Sequence, residues 1–390
     1  MAVAPLDLLD LDDLLTDEER DVRALARRVV DDRVRPHIAD WYERGEVPVR
    51  ELALEFGKLG LLGMHLTGYG CAGTSAVQYG LACLELEAAD SGVRSLVSVQ
   101  GSLAMYAIWK YGSEQQKQRW LPGMAAGELI GCFGLTEPDH GSDPANMATR
   151  ARRDGDDWIL NGGKMWITNA PVADVAVIWA RTEEGVAGFA VPTASEGFTA
   201  REVKLKLSLR ASATGEITLD DVRVPDSARL PEARGLKAPL SCLTEARFGI
   251  IWGALGAARD CLETAIAYAV SREQFGRPIA GFQLTQAKLA DMALELQKGY
   301  LLALHLGRRR DENGSLRPEQ VSVGKLNNVR EAIKIARECR TILGANGISG
   351  EYPVLRHANN LESVLTYEGT SEIHQLVIGH KLTGLNAFSG

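Results

Sequence analysis

The sequence lacks the marks of several protein classes. Its six cysteines form no C-x-x-C pair, and its histidines do not cluster with them at metal-ligand spacing, so we expect reduced thiols and no bound metal. No apolar run approaches the roughly 20 residues that a membrane helix needs. A formal net charge of −8 without a basic stripe excludes a nucleic-acid-binding face, because phosphates require clustered Lys and Arg. The expected partner is a small molecule.

Targeting signals and repeats are also missing. Residues 1–13 alternate Leu with Asp, without the positive start of an export signal or the Arg-rich character of a transit peptide. We therefore expect a cytoplasmic protein. The chain has no internal repeat and no low-complexity tract, and its 390 residues predict about two or three domains.

Hydrophobic periodicity divides the chain into three blocks. Thr16 and Glu19 have the spacing of a capping box that opens an amphipathic helix, and further helical runs follow up to about Gly127. Short apolar runs broken by Gly, Pro and Asn then predict strands, before the helical period returns at Ser241. We predict an α+β fold. Its domains are an N-terminal all-α domain (1–129), a middle β-domain (130–235) and a C-terminal four-helix bundle (236–390).

The most informative segment is residues 365–373, where Glu368 follows Tyr367 on a turn that contains Gly369. A carboxylate shielded by Tyr367 and Val364 would have its charged form disfavoured, which makes it a stronger general base. The alternative is a solvated surface turn before a C-terminal helix.

A second motif, Gly68-x-Gly70-x-x-Gly73 followed by Asp90, matches the dinucleotide fingerprint by spacing alone. That fingerprint requires a strand before it and a βαβ unit around it. The segments on both sides have helical patterns, so we expect these glycines to form a tight helix–helix connection instead.

Several ordered motifs together resemble the acyl-CoA dehydrogenase family over essentially the whole chain. In that family, a helical domain, a β-domain and a helical bundle enclose FAD and a fatty acyl-CoA thioester, so the resemblance implies the same fold and cofactor. The matching segments are 133–142, 166–168, 272–278, 282–283, 343–347 and 366–373.

The resemblance implies the following cofactor contacts. In the β-domain they include Leu135, Thr136, Trp166 and Thr168 against the flavin ring, with Ser142 near the thioester side; the matching segments add Phe133, Gly141 and Ile167. Arg272, Phe275 and Gln283 resemble the group that holds the adenine and pyrophosphate of a neighbouring subunit's FAD, and the remaining contacts are Leu343, Gly344, Thr370 and Glu372. A site shared between subunits implies an oligomer, in this family commonly a homotetramer.

The resemblance also implies the catalytic base. Some members carry it on a bundle helix directly before the residue equivalent to Arg247, but here that position is Ala246, and Glu245 is about 100° out of phase on a helix. Glu368 remains as the base, next to Tyr367 and Gly369 on the substrate side. Arg247 resembles a residue of the CoA channel, with a bundle-surface cation as the alternative.

Arg94 and Ser95, with Glu87 upstream, resemble the subgroup of glutaryl-CoA dehydrogenases. There the guanidinium meets the distal carboxylate of the substrate, for which its planar shape is suited. The alternative is an ordinary ion pair with Glu87 or Asp90. The Asp139-His140 pair departs from the subgroup's loop, so His140 either shifts the flavin potential or faces solvent.

The resemblance therefore implies an FAD-dependent enzyme that converts glutaryl-CoA to crotonyl-CoA and CO₂. The expected electron acceptor is an electron-transferring flavoprotein, with an oxidase that uses O₂ as the alternative. Alternatives on the same scaffold are a glutaryl-CoA dehydrogenase that does not decarboxylate and a short-chain acyl-CoA dehydrogenase. A non-catalytic binding protein that keeps FAD as structure is disfavoured by the presence of both Glu368 and Arg94. The sequence leaves the pathway open between lysine or tryptophan breakdown and a biosynthetic role.

Overall fold

The computed structural model describes residues 4–387, so the first three residues of the predicted first domain and the last three of the third lie outside it. Within that range the order is helical, sheet, helical, which confirms the predicted fold class. The helices are α1 Asp17–Arg33, α2 Ile38–Arg44, α3 Val49–Lys58, α4 Ala76–Ala89, α5 Ser91–Ser98, α6 Tyr106–Tyr111, α7 Glu114–Ala125, α8 Lys237–Ser271, α9 Gln283–Asn313, α10 Pro318–Ile342, α11 Val354–Thr366 and α12 Ser371–Thr383. The strands are β1 Thr67–Gly68, β2 Cys71–Ala72, β3 Gly131–Gly134, β4 Arg150–Asp154, β5 Asp157–Thr168, β6 Val175–Thr182, β7 Gly185–Pro192, β8 Phe198–Glu202, β9 Thr214–Pro225, β10 Glu273–Gln274 and β11 Arg277–Pro278.

The N-terminal region confirms the predicted capping box and corrects one prediction. Thr16 accepts a hydrogen bond from the Glu19 amide at 3.3 Å, while the Glu19 carboxylate accepts one from the Thr16 amide. The region is not purely helical, because β1 and β2 form a two-stranded antiparallel ribbon. Gly68 and Gly70 both have positive φ, a conformation that glycine adopts without strain. The predicted helix–helix connection is therefore a β-turn ribbon, and no βαβ unit surrounds it.

The middle region is a seven-stranded sheet in the order β3-β6-β4-β5-β9-β8, with β7 paired to β6. Strand β3 runs parallel to β6, while β5 and β9 form a long antiparallel pair with two irregularities. The amide of Met165 donates to the carbonyl of Thr136 at 2.9 Å. This bond brings the loop after β3 against the end of β5, so two of the sequence-predicted segments become neighbours.

The C-terminal region has three long helices, α8, α9 and α10, and two shorter helices that pack on α10. The last helix of the predicted four-helix bundle is thus divided into α11 and α12, with Glu368 in the turn between them. None of the helices within residues 4–387 is both long and apolar enough to cross a bilayer.

Asn360 on α11 connects all three regions. Its side-chain oxygen accepts from the Leu209 amide at 2.8 Å, and its side-chain nitrogen donates to Asp90 at 2.8 Å. Asp90 in turn caps α5 by accepting from the Gly92 amide at 2.7 Å. The helix that carries Arg94 is therefore fixed relative to both other regions.

Candidate active site

Glu368 lies in a half-buried turn whose backbone is bound by two cationic side chains. Its φ of 54° is left-handed, and Gly369 follows with a φ of 101°. Lys325 Nζ donates to the carbonyls of Tyr367 and Gly369, each at 2.7 Å, and Arg247 Nε donates to the carbonyl of Glu368 at 2.6 Å. The turn is not a solvated surface turn, and Arg247 is not a free surface cation.

The electrostatics of Glu368 suit a general base. Burial raises the pKa of its carboxyl above the usual range, and the positive charges of Arg94, Lys325 and Arg247 oppose that rise. Its Oε2 is buried and has no hydrogen-bond partner among residues 4–387. A desolvated carboxylate without donors is a stronger base than one in water.

Arg94 is fully buried on α5 and is paired with Glu87. Its Nε lies 2.6 Å from Glu87 Oε2, and Ser91 donates to the other Glu87 oxygen at 2.9 Å. The ion pair with Glu87 that the sequence allowed is therefore formed, whereas Asp90 caps α5 and binds Arg356 instead. Ser95, the next residue, is also buried.

The same guanidinium contacts the residue before the candidate base. Arg94 Nη2 donates to the Tyr367 hydroxyl, and the Arg94 Cζ lies 5.7 Å from the centroid of that ring. These contacts use Nε and Nη2, so Nη1 has no partner within the described residues. The structure thus brings Glu87, Arg94, Tyr367, Glu368 and Arg247 into one cluster.

Glu245, the other carboxylate considered for the base, is held elsewhere. It forms an ion pair with Arg310, whose guanidinium also lies 4.7 Å from the Phe248 ring centroid. Ala246 is completely buried. Of these two carboxylates, the one that forms no ion pair within residues 4–387 is Glu368.

The predicted flavin residues of the β-domain differ in how far they are buried. Phe133 is buried, with its ring 5.9 Å from that of Trp179, and Leu135 and Ile167 are also buried. Thr136 and Thr168 are half-buried, and Trp166 is 58% exposed with a φ of 63°. Of these six residues, only the two threonines and Trp166 are not buried. Gly141 and Ser142 lie on an exposed loop.

His140 lies on a short turn in the same loop. Its amide donates to the Glu137 carbonyl and its carbonyl accepts from the Glu137 amide, at 3.3 and 3.2 Å. Neither bond involves the imidazole, so the two alternatives for His140 stay open.

The remaining predicted cofactor residues lie outside the β-domain. Arg272, Phe275 and Gln283 are exposed at and beyond the end of α8, and Phe275 is 96% exposed with a φ of 53°. No hydrogen bond or ring contact among residues 4–387 joins them to the predicted flavin residues. Leu343 is buried and Gly344 is exposed just beyond α10, while Thr370 caps α12 and Glu372 is exposed on its first turn.

Sequence reasoning missed two buried lysines that support these segments. Lys164 Nζ donates to the Leu135 carbonyl at 3.0 Å and to the Glu137 carboxylate at 2.8 Å. Burial would raise the pKa of Glu137, but hydrogen bonds from Lys164 and Thr149 lower it to about 2. The second buried lysine is Lys325, which donates to the carbonyls of Tyr367 and Gly369. Each is a charged residue at an apolar position of a strand or helix, and that was the available signal.

Comparison with known proteins decides the family. The models of the acyl-CoA dehydrogenase N-terminal, middle and C-terminal domains match residues 16–128, 132–222 and 233–383. The chain belongs to the acyl-CoA dehydrogenase family. It is a flavin-dependent oxidoreductase that acts on acyl-CoA, and its cofactor is FAD.

Three relatives illustrate this similarity. A glutaryl-CoA dehydrogenase from Mycobacterium smegmatis is 71% identical with a TM-score of 0.98, and both chains are covered fully. A second structure of a glutaryl-CoA dehydrogenase from that organism, in complex with FADH2, is 66% identical with a TM-score of 0.98 and the same full coverage. The human mitochondrial short-chain specific acyl-CoA dehydrogenase is 38% identical over 84% of this chain and 81% of its own length.

The outward-facing residues of the β-domain fit FAD. Trp166 presents a large ring to solvent from a left-handed backbone position, an arrangement that is costly unless something covers it. The hydroxyls of Thr136 and Thr168 have no hydrogen-bond partner within the described part of the chain, so they are available to a polar ring edge. An aromatic face and free hydroxyls are what a planar, polar-edged cofactor requires.

Proposed function

We propose that the enzyme is a glutaryl-CoA dehydrogenase that converts its substrate to crotonyl-CoA and CO₂. The observation that carries the proposal is the buried Arg94, whose Nη1 has no partner within residues 4–387 while its other contacts reach Glu87 and Tyr367. A guanidinium with one free edge can bind a carboxylate. The similarity to two proteins named glutaryl-CoA dehydrogenase supports the same substrate.

In this proposal Glu368 removes a proton from the α-carbon of the thioester. FAD, when bound, supplies the chemistry that accepts the hydride from the β-carbon. Trp166, Thr136 and Thr168 hold the cofactor from the β-domain, and Ser142 lies towards the thioester. The cations around the turn stabilise the negative charge that develops as the α-proton leaves.

Arg94 positions the distal carboxylate next to Glu87 and Tyr367. Dehydrogenation forms a double bond between the α- and β-carbons. When the bond between the γ-carbon and the distal carboxylate breaks and CO₂ leaves, the two electrons of that bond enter a conjugated dienolate. That dienolate takes up one proton to become crotonyl-CoA, and Glu368 holds one after the first step. Burial raises the pKa of Tyr367, so its hydroxyl stays neutral in the pocket.

We also propose the assembly and partners that the resemblance implies. Arg272, Phe275 and Gln283 would contact FAD of a neighbouring subunit in a homotetramer, which accounts for the exposure of Phe275. Further cofactor contacts would come from Leu343, Gly344, Thr370 and Glu372. An electron-transferring flavoprotein would reoxidise the flavin in the cytoplasm. The domain limits at residues 129 and 235 belong to the same set of proposals.

The second candidate is a short-chain acyl-CoA dehydrogenase, favoured by the 38% identity to the human enzyme of that name. The first experiment is anaerobic addition of glutaryl-CoA or butyryl-CoA to the holoenzyme, with flavin absorbance and acyl products measured. Bleaching by glutaryl-CoA with release of crotonyl-CoA and CO₂ supports the proposal. Glutaconyl-CoA as the product would instead support a non-decarboxylating enzyme, and bleaching by butyryl-CoA alone would overturn the role of Arg94.

A further inference from the structure

Lys325 is a buried lysine on a helix face that otherwise carries apolar and small residues and the buried Asn328. It lies on α10 with 2% of its surface exposed, between the buried Val321 and Val329. No carboxylate is paired with its Nζ among residues 4–387. A buried ammonium group without a counter-ion is costly, and burial accordingly lowers the pKa of Lys325 to about 7. Below that pH the lysine is charged, and its hydrogen bonds compensate for the burial.

Those hydrogen bonds go to the carbonyls on either side of Glu368. The carbonyls of Tyr367 and Gly369 each lie 2.7 Å from Lys325 Nζ, and the carbonyl of Glu368 itself lies 2.6 Å from Arg247 Nε. Three successive carbonyls are thus bound by cations from α8 and α10. A residue other than glycine at a φ of 54° is strained and persists only when its surroundings hold it there.

We propose that Lys325 is a positioning residue for proton abstraction, because it holds the left-handed Glu368 turn through two carbonyls and places a buried positive charge beside the carboxylate. The inference rests on the proposed role of Glu368 as the base. Lys325 itself does not contact the substrate in this proposal.

The charges around the carboxylate of Glu368 support the electrostatic role that we propose for Lys325. Burial raises the pKa of Glu368, the cations Arg94, Lys325 and Arg247 lower it, and Glu87 raises it. The remaining groups that face the turn are the neutral Tyr367 and His374, whose pKa is lowered by burial to about 3. Without Lys325, desolvation would be opposed by two cations only.

The test measures exchange of the α-protons of acetyl-CoA in D₂O by mass spectrometry with the holoenzyme. Acetyl-CoA has no β-carbon, so exchange reports the base without dehydrogenation. We expect Lys325→Met to slow exchange by about 10- to 100-fold, the scale of a small misplacement of a reacting group. The acidic limb of the pH profile should also move to higher pH. The matched control is Lys334→Met, an exposed lysine on the same helix, which should leave both unchanged.

A second variant keeps the test decisive if Lys325→Met does not fold. Lys325→Gln retains a donor but removes the charge, so it should still move the acidic limb upward. A folded variant of either kind with the wild-type rate and pH profile would overturn the inference. Glu368→Gln separates this result from failure of the proposed function. If Glu368→Gln exchanges at the wild-type rate, Glu368 is not the base and the proposed function fails. If Glu368→Gln loses exchange while a Lys325 variant exchanges normally, only the role of Lys325 is rejected.

Discussion

The Nε of Arg94 lies 2.6 Å from Oε2 of Glu87, and neither side chain is accessible to solvent. The pair satisfies the charge of the arginine before any substrate arrives. Truncating one partner of such a pair leaves a buried charge unpaired, which is strongly destabilising. The arginine is thus tied to the fold by Glu87 and to the base-bearing turn by Tyr367.

Arg94→Ala should lower kcat/KM for glutaryl-CoA by the equivalent of about 2–5 kcal/mol, because the distal carboxylate would be buried without a partner. The loss with butyryl-CoA should be much smaller, since that chain has no distal charge. Steady-state kinetics with both substrates measure the difference. Equal losses would show that Arg94 is structural only.

The double variant Glu87→Gln/Arg94→Met separates stability from recognition. It removes both buried charges, so the melting temperature should return towards the wild-type value. Activity with glutaryl-CoA should stay low. Recovery of that activity in the double variant would contradict carboxylate recognition by Arg94.

Glu368→Gln should give a folded, FAD-containing protein with turnover reduced by about 100-fold or more, because a positioned general base contributes on that scale. Flavin absorbance reports cofactor content, and stopped-flow bleaching by acyl-CoA reports the chemical step. Glu362→Gln is the control, since Glu362 is an exposed carboxylate on the preceding helix that pairs with Arg337. Bleaching at the wild-type rate would reject Glu368 as the base.

Periodicity predicted the three-part fold because it depends on burial patterns that repeat along helices and strands. The ribbon at Thr67–Ala72 escaped it, since two-residue strands have no measurable period and depend on the left-handed glycines. The helical pattern predicted up to about Gly127 includes residues 99–105, which form a π-helix, whose wider turns leave no pattern in the residue types.

The candidate site shows the same division. Glu368 and Arg94 could be predicted because the sequence itself shows a charged residue next to apolar or aromatic neighbours. Lys325 lies 43 residues from Glu368 in sequence, and its contacts are to carbonyl groups, which every residue carries. No residue type could have indicated that pairing. The contacts of Arg94 were likewise not predictable from the sequence, because Nε binds Glu87 and Nη2 binds Tyr367 while Nη1 has no partner among residues 4–387.

The pH dependence follows from the raised pKa of Glu368. The base acts only when deprotonated, so the acidic limb of kcat/KM should lie above the ordinary carboxyl value of 4.5. The folded state holds this proton more tightly than the unfolded state, so the contribution to stability is present below pH 4.5 and is lost as pH rises through the folded pKa. Glu368→Gln cannot lose that proton. Its melting temperature should therefore rise relative to wild type across this window, and a constant difference would contradict the raised pKa.

Gly253 on α8 leaves the space that the Glu87–Arg94 pair occupies. A Cβ at this position would lie 2.0 Å from Glu87 Oε2 and 3.2 Å from Arg94 Nε, so Gly253→Ala must displace the buried carboxylate. We expect at least a tenfold loss of kcat/KM with glutaryl-CoA and a lower melting temperature, because overpacking of this kind costs about 1–3 kcal/mol.

The control for this substitution is Gly379→Ala on α12, where an added Cβ meets no atom within 4 Å. Alanine there should keep activity and stabilise the helix by about 1 kcal/mol. The comparison separates the general effect of alanine in a helix from the contact with Glu87. If Gly253→Ala behaves like its control, the carboxylate can move without harm, and the exact position of the buried pair is not what selects the substrate.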